Sequence, residues 1–225
     1  MPDPDPELTD LPLFPLGTVL FPGMPLPLHL FEERYRRLLR EHRQADPIFG
    51  VVLTRQGVEV GDEPETHAVG TAATLLGIGH YPDGRADIVV RGTRRFRIAG
   101  GEWSRGYLMG RVAWLDDPLG EPEAAEAAAV ELSRRYAAFL SAFQESTGVD
   151  LPDEDLDPDP ALLAYAIAAR LPLNTWEQQR LLEAETVGDR LVALNDIIRR
   201  EARLLRETGA GGAIPERPGG RFTAN

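Results

Sequence analysis

The chain of 225 residues contains no cysteine. That excludes disulfide staples, thiolate metal ligands and a cysteine nucleophile, so packing alone must hold the fold. Lysine is missing as well, because every one of the 24 Lys+Arg residues is arginine. Without lysine there is no Walker A loop, no Schiff base and no Ser/Lys dyad. No stretch approaches about 18 consecutive apolar residues, the length a membrane helix needs. The opening MPDPDPELTD is acidic where a secretory signal would be basic and then apolar. These absences lead us to expect a soluble, cytoplasmic protein without a membrane partner. Positive charge is also scarce: 36 acidic residues give a net charge of -12, which opposes long-range attraction to a phosphate backbone. Nucleic acid is therefore not an expected partner. A hydrophobic content of 43% is enough to build the core of one large domain or two small ones.

What the chain does have is a proline-rich apolar opening, LPLFPLGTVLFPGMPLPLHLFEERYRRLL, from Leu11 to Leu39. Pro12, Pro15, Pro22, Pro25 and Pro27, with Gly17 and Gly23, keep the backbone extended or turning up to Phe31. Phe31, Tyr35, Leu38 and Leu39 then recur at helical spacing. Glu32 and Glu33 stand four residues ahead of Arg36 and Arg37, the favourable order for helical ion pairs. The segment reads as strand, loop, strand and helix.

Strand signals continue at Ile48 to Thr54 and His67 to Ile78, the latter with Gly70 and Gly77 as expected bulges. HYPDGR, residues 80–85, has the composition of a tight hairpin turn leading into Ala86 to Arg91. Arg94 to Ile98 alternates, with Phe96 and Ile98 on one face and Arg95 and Arg97 on the other, and Tyr107 to Leu115 reads as a further strand. Beyond Asp116 the pattern becomes helical. An alanine-rich helix is expected over Glu123 to Gln144, with Val130, Leu132, Tyr136, Phe139, Leu140 and Phe143 as its apolar positions. A second is expected from the Asp159 N-cap through Arg170, a third from Thr175 with Gln178 closing a capping box, and a fourth over Val187 to Arg206.

Few constellations suggest chemistry. Asp153, Asp155 and Asp157 alternate like the start of a calcium loop, yet Pro158 and Ala164 stand where that loop needs glycine and glutamate. The stretch reads as a solvated linker. His29, His42, His67 and His80 are scattered without a ligand pair, and His29 reads as a packed, hydrogen-bonded side chain. Glu63, Glu65 and His67 suit an exposed strand face. Ser104, Ser133, Ser141 and Ser146 have no nucleophile elbow. Arg91, Arg94, Arg95 and Arg97 read as a solvated strand face. No cofactor, metal or catalytic residue is expected.

The opening run closely resembles the signature of the Lon protease N-terminal, or substrate-binding, domain family. VGTAATLLGI, DGRADIVVRGTRRFRI and QQRLLEAETVGDRLVALNDII are similar to its later blocks, so the resemblance covers about residues 10–206. It implies an α+β fold: a PUA-like small β-barrel lobe with one helix, followed by an α-helical bundle lobe. The expected division is a flexible N-terminus at 1–10, a β-rich lobe at 11–116, a helical lobe at 117–208 and a flexible tail at 209–225. Lon enzymes follow this domain with ATPase and Ser/Lys protease modules, so the chain reads as a stand-alone, non-catalytic member that recognises polypeptide segments. A protease or chaperone is an expected partner, and oligomeric state is left open. The expected peptide patch comprises Leu16, Leu20, Phe21, Met24, Leu26, Phe31, Arg34 and Tyr35, beside proline-stiffened backbone. Two alternatives stand beside this reading: a hydrolase whose site forms only on folding, and a PUA-like RNA-binding protein.

Overall fold

A computed structural model describes residues 7–55, 64–104, 106–150 and 156–208 and the backbone of 222–223. The contact pattern separates the chain into two compact units at the Asp116/Asp117 junction, with Phe222 and Thr223 belonging to the first.

The first unit is β1 (Leu8–Leu16), β2 (Pro25–Leu30), α1 (Glu33–His42), β3 (Phe49–Thr54), β4 (Thr66–His80), β5 (Ala86–Ser104) and β6 (Tyr107–Trp114). The sheet runs β4-β3-β1-β6-β5-β2, and an additional β4–β5 pairing closes it into the expected small barrel. β1 lies between β3, parallel, and β6, antiparallel. Its inner half, Leu11 to Leu16, is buried at every position rather than at alternate ones. Two clusters account for this. Phe14 and Leu16 pack with Tyr35, Leu38 and Leu39 of α1, while Leu11 and Leu13 pack with Phe96 and Val112. A strand covered on both faces reads as a continuous apolar run.

Several local expectations are corrected. The two strands expected over residues 86–98 are one long strand, β5, because Gly92 continues the ladder where Gly-Thr reads as a break. A Cβ on Gly92 would stand 2.3 Å from the Phe21 carbonyl oxygen, so glycine is required there for close backbone approach. Gly77 borders a register shift in the β4–β5 ladder, and Gly70, which is in regular register with Phe96, borders the shift between Val52 and Thr54 in the β3–β4 ladder. Its role is clearance, since a Cβ would meet the Val51 carbonyl oxygen at 2.4 Å. Phe31 precedes α1 and is exposed, so it is not part of the helix's apolar face. Glu33 pairs with Arg36 and Arg40, Arg37 pairs with Glu41, and Glu32 turns to Arg34.

The second unit is helical: α2 (Pro122–Thr147), α3 (Pro160–Ala168), α4 (Thr175–Glu183) and α5 (Val187–Thr208). Ala125, Ala129, Leu132, Tyr136, Phe139 and Phe143 form the buried stripe of α2, while Val130 faces solvent. Small alanines at the seam let α5 approach, a contribution that a search for large apolar residues overlooks. Asp159 caps α3 as expected, accepting from the backbone N–H groups of Ala161 and Leu162. The helix ends at Ala168 and not at Arg170. The α4 cap is Asn174 with Glu177, one residue earlier than expected. Asn174 Oδ1 accepts from the Glu177 N–H at 2.9 Å, and Glu177 Oε2 accepts from the Asn174 N–H at 3.2 Å. An asparagine amide is a stronger cap than the threonine hydroxyl beside it. On α5, Leu204 is exposed and Glu201 is buried against Arg200.

Of the expected flexible ends, residues 1–6, 209–221, 224 and 225 lie outside the described residues. Leu8 to Asp10 already belong to β1, and Phe222–Thr223 forms a short strand, β7, beside β2.

Candidate functional site

Strand alternation sets the outer face of the barrel. Along β2 and just beyond it, Pro27, His29 and Phe31 follow at period two, while Leu26, Leu28 and Leu30 enter the core. On β5, Val89 stands opposite Pro27 and Asp87 opposite His29. On β4, Gly77 stands opposite Val89 and Gly79 opposite Asp87. The two glycines leave a bare strip of strand, and the surface dips into a depression of about 420 Å³ lined by Pro27, Gly77, Ile78, Gly79, Asp87 and Val89. On this face Phe31, 40% exposed, and Val89, 38%, remain open to solvent. Ile78, although exposed, stands opposite the core residue Ile88 and so belongs to the other face, and Leu76 lies in the register shift between Leu75 and Gly77.

One end of this shelf is held by a polar relay. His29 Nδ1 lies 2.6 Å from Asp87 Oδ1, and the Tyr81 hydroxyl donates to Asp87 Oδ2 at 2.5 Å. The His29 ring stacks beside Phe31, with centroids 6.1 Å apart, and meets Tyr81 edge-on at 5.9 Å. Both carboxylate oxygens of Asp87 are thus used to fix aromatic side chains. Tyr81 opens the expected hairpin turn, which Gly84 closes at φ 85 and Asp83 braces through Arg85.

The expected patch is divided by this arrangement. Leu16, Leu20, Phe21, Leu26 and Tyr35 are buried, so they support the face from within instead of forming it. Burial pushes the Tyr35 hydroxyl up to about 12, with Arg34 opposing the shift and Glu32 adding to it. Met24 is partly buried against the same core. Arg34 lies 4.8 Å over the Tyr35 ring and pairs with Glu32. Phe31 is the one member with a largely open side chain. Sequence reading missed Val89, Tyr81 and Asp87 because they come from strands remote from the opening run. The detectable signal was the Pro27-His29-Phe31 alternation, which continues past the strand.

A second cavity, of about 740 Å³ and mixed in character, is lined by Asp10, His42, Glu102, Tyr107, Met109 and Arg111, with Ser104 beside them. The Tyr107 hydroxyl donates to Glu41 Oε2 at 2.6 Å and lies 3.1 Å from His42 Nε2. His42 is thereby engaged by a tyrosine and not by Ser104. Ser133 and Ser141 donate to the carbonyls of Ala129 and Ala137 in their own helix. Among the described residues no group of three His, Asp or Glu side chains could hold a metal ion. Asp153, Asp155 and Glu63 lie outside the described residues, and Asp157 accepts from the Asp159 N–H. Arg95, expected on a solvated face, is buried and donates to the Asp116 carbonyl, while Arg94 donates to the Asp116 carboxylate. Two of the four arginines are therefore committed to the end of the β unit. No helix of the described residues is long and apolar enough to cross a membrane.

The chain is thus a closed β unit followed in sequence by a helical unit. The model of the ATP-dependent protease La (LON) substrate-binding domain matches residues 10–200, and the chain belongs to that family. The match is to the substrate-binding domain and not to the protease domain. Among curated relatives, the Lon protease of Xanthomonas oryzae pv. oryzae is 30% identical over 203 residues, covering 86% of this chain and 23% of the relative. The Lon protease of Escherichia coli K12 is 27% identical, covering 89% of this chain and 26% of the relative. The chain thus spans about a quarter of the length of these relatives. Among solved structures, a Lon N-terminal domain protein from Xanthomonas campestris is 29% identical with a TM-score of 0.60, covering 83% of this chain and 96% of its own. The N-terminal domain of a Mycobacterium avium complex Lon protease matches in fold, with a TM-score of 0.64 at 21% identity, covering 85% of this chain and 98% of its own.

Proposed function

We propose that this chain is a non-catalytic recognition module that binds extended polypeptide segments on the β2–β5–β4 face, acting as an adaptor or regulator for a protease or chaperone partner. The observation that carries this reading is the pair of exposed apolar side chains Phe31 and Val89 beside a glycine strip on the outer face. Exposed apolar side chains grouped on one rigid strand face suit an extended peptide, whose alternate side chains can enter the dip while its backbone lies flat. The Asp87 relay holds His29 and Tyr81 in place, and Phe31 stacks beside His29, so little side-chain entropy is lost on binding. The net charge of -12 and the use of Arg94 and Arg95 on Asp116 favour protein over nucleic acid as the ligand.

The test is binding of unfolded casein, measured by anisotropy, to the full chain and to a Phe31→Ser/Val89→Ser variant. Binding that weakens at least about tenfold, a change of about 1.4 kcal/mol, with an unchanged melting temperature supports the assignment. Equal binding by both proteins moves the site elsewhere. Casein cleavage or ATP turnover intrinsic to the purified chain would replace the reading with an enzymatic one.

A further inference from the structure

The shelf borders an edge of the sheet that the chain itself touches. Phe222 and Thr223 of β7 run parallel to β2, with Leu28 opposite Phe222 and His29 opposite Thr223. On its other side β2 is paired with β5 along its whole length, from Pro25 to Leu30. Backbone polar groups alternate between the two sides of a strand, and the Gly92 N–H donates to the Met24 carbonyl at 2.9 Å, which turns the even-numbered residues toward β5. Pro25, Pro27 and His29 therefore present their backbone groups to the outer side. Prolines have no N–H, and on the outer side of an edge strand they leave no ladder bond unmade. The outer edge of β2 thus offers three carbonyls but a single N–H, that of His29. β7 sits at that residue.

We infer that the outer edge of β2 is a strand-accepting edge that takes an extended segment running parallel to β2 at Leu28–His29, and that Phe222–Thr223 occupies it in cis, so that an external polypeptide must displace the chain's own segment. The prolines leave His29 as the one residue of this edge that can both donate and accept, and β7 pairs there. His29 belongs both to this edge and to the Asp87 relay, so a segment paired there lies next to Phe31 and the shelf. The inference deepens the peptide-binding reading and rests on it for the identity of the external ligand. A tethered competitor acts at an effective concentration of about millimolar, so a weak segment suffices to hold off weak ligands.

The experiment compares the full chain with a full-length Phe222→Pro/Thr223→Pro variant, which leaves the barrel core untouched. Amide hydrogen exchange at His29 should speed up at least about tenfold in the variant. A fluorescein-labelled synthetic peptide of residues 217–225 should bind the variant about tenfold more tightly than it binds the full chain. Unchanged exchange at His29, or equal peptide affinity, overturns the inference. Casein binding separates this outcome from the broader reading. Casein binding that depends on Phe31 and Val89, with equal peptide affinity, removes only the cis occupant. A gain in peptide binding without any casein binding removes the recognition role and leaves the strand-accepting edge in place.

Discussion

The guanidinium of Arg190 is fully buried and donates to Asp117 Oδ1 at 3.1 Å, joining α5 to the residue that opens the helical unit. It also donates to the Leu181 carbonyl at 2.9 Å and lies 4.2 Å over the Tyr165 ring, whose hydroxyl donates to the same Asp117 oxygen at 2.7 Å. One carboxylate therefore satisfies α3 and α5 together, and the Arg190 charge is tolerated only because that carboxylate faces it.

Asp117→Ala should destabilise the helical unit by about 3 kcal/mol, because it strands a buried cation and removes the Tyr165 acceptor. Urea denaturation followed by circular dichroism measures this. A loss under about 1 kcal/mol would mean that Arg190 is compensated by its carbonyl partners alone.

The two halves of the expected patch should respond oppositely. Phe21→Ala removes a core side chain and should cost about 3 to 5 kcal/mol. Phe31→Ser should change thermal stability little and act on peptide binding instead. A Phe31→Ser variant that unfolds as easily as Phe21→Ala would place Phe31 in the core.

Gly70→Ala should destabilise the barrel by about 1 to 3 kcal/mol, since the new methyl meets backbone at the Val51 carbonyl as well as the packed side chains of Val52 and Phe96. Gly77→Ala, which has open space around its position, should be close to neutral. Equal melting temperatures for the two variants would refute this account of Gly70.

Two groups should shape stability at the extremes of pH. Hydrogen bonds from Arg134 and Arg135 lower Glu131 from the ordinary 4.5 to about 2. A depressed carboxyl stabilises the folded form above the unfolded value, and this contribution disappears as pH falls from about 4.5 to about 2. Burial raises Tyr35 from 10.0 to about 12, so the unfolded chain ionises first and stability should decline as pH rises across that interval. Carboxyl chemical shifts in NMR follow the first, and absorbance titration of tyrosinate follows the second. A Glu131 midpoint near 4.5 would show that the Arg134 and Arg135 contacts do not persist in solution.

Strands, helices and their order were legible because local signals sufficed: prolines that keep the opening run extended, a helical stripe in α5, and a proline- and glycine-bearing turn after His80. Local signals failed where a competing neighbour decided the outcome. Asn174 displaced Thr175 as the cap, and Gly92 sat within a continuous strand. The opening run revealed the family by its resemblance to a known signature, but its apolar density could not say which side chains remain outside.

By itself, then, the sequence determined the absence of thiol and lysine chemistry and the order of elements, which follow from composition and short-range periodicity, and the family, which follows from the resemblance of its opening run and later blocks to known members. Only the tertiary structure decided that Leu16, Leu20, Phe21, Leu26 and Tyr35 are core and that Phe31 joins Val89 on the surface. The reason is that burial depends on what closes over a residue. Here β4 and β5, which begin only at Thr66 and Ala86, supply both the cover and the rest of the outer face.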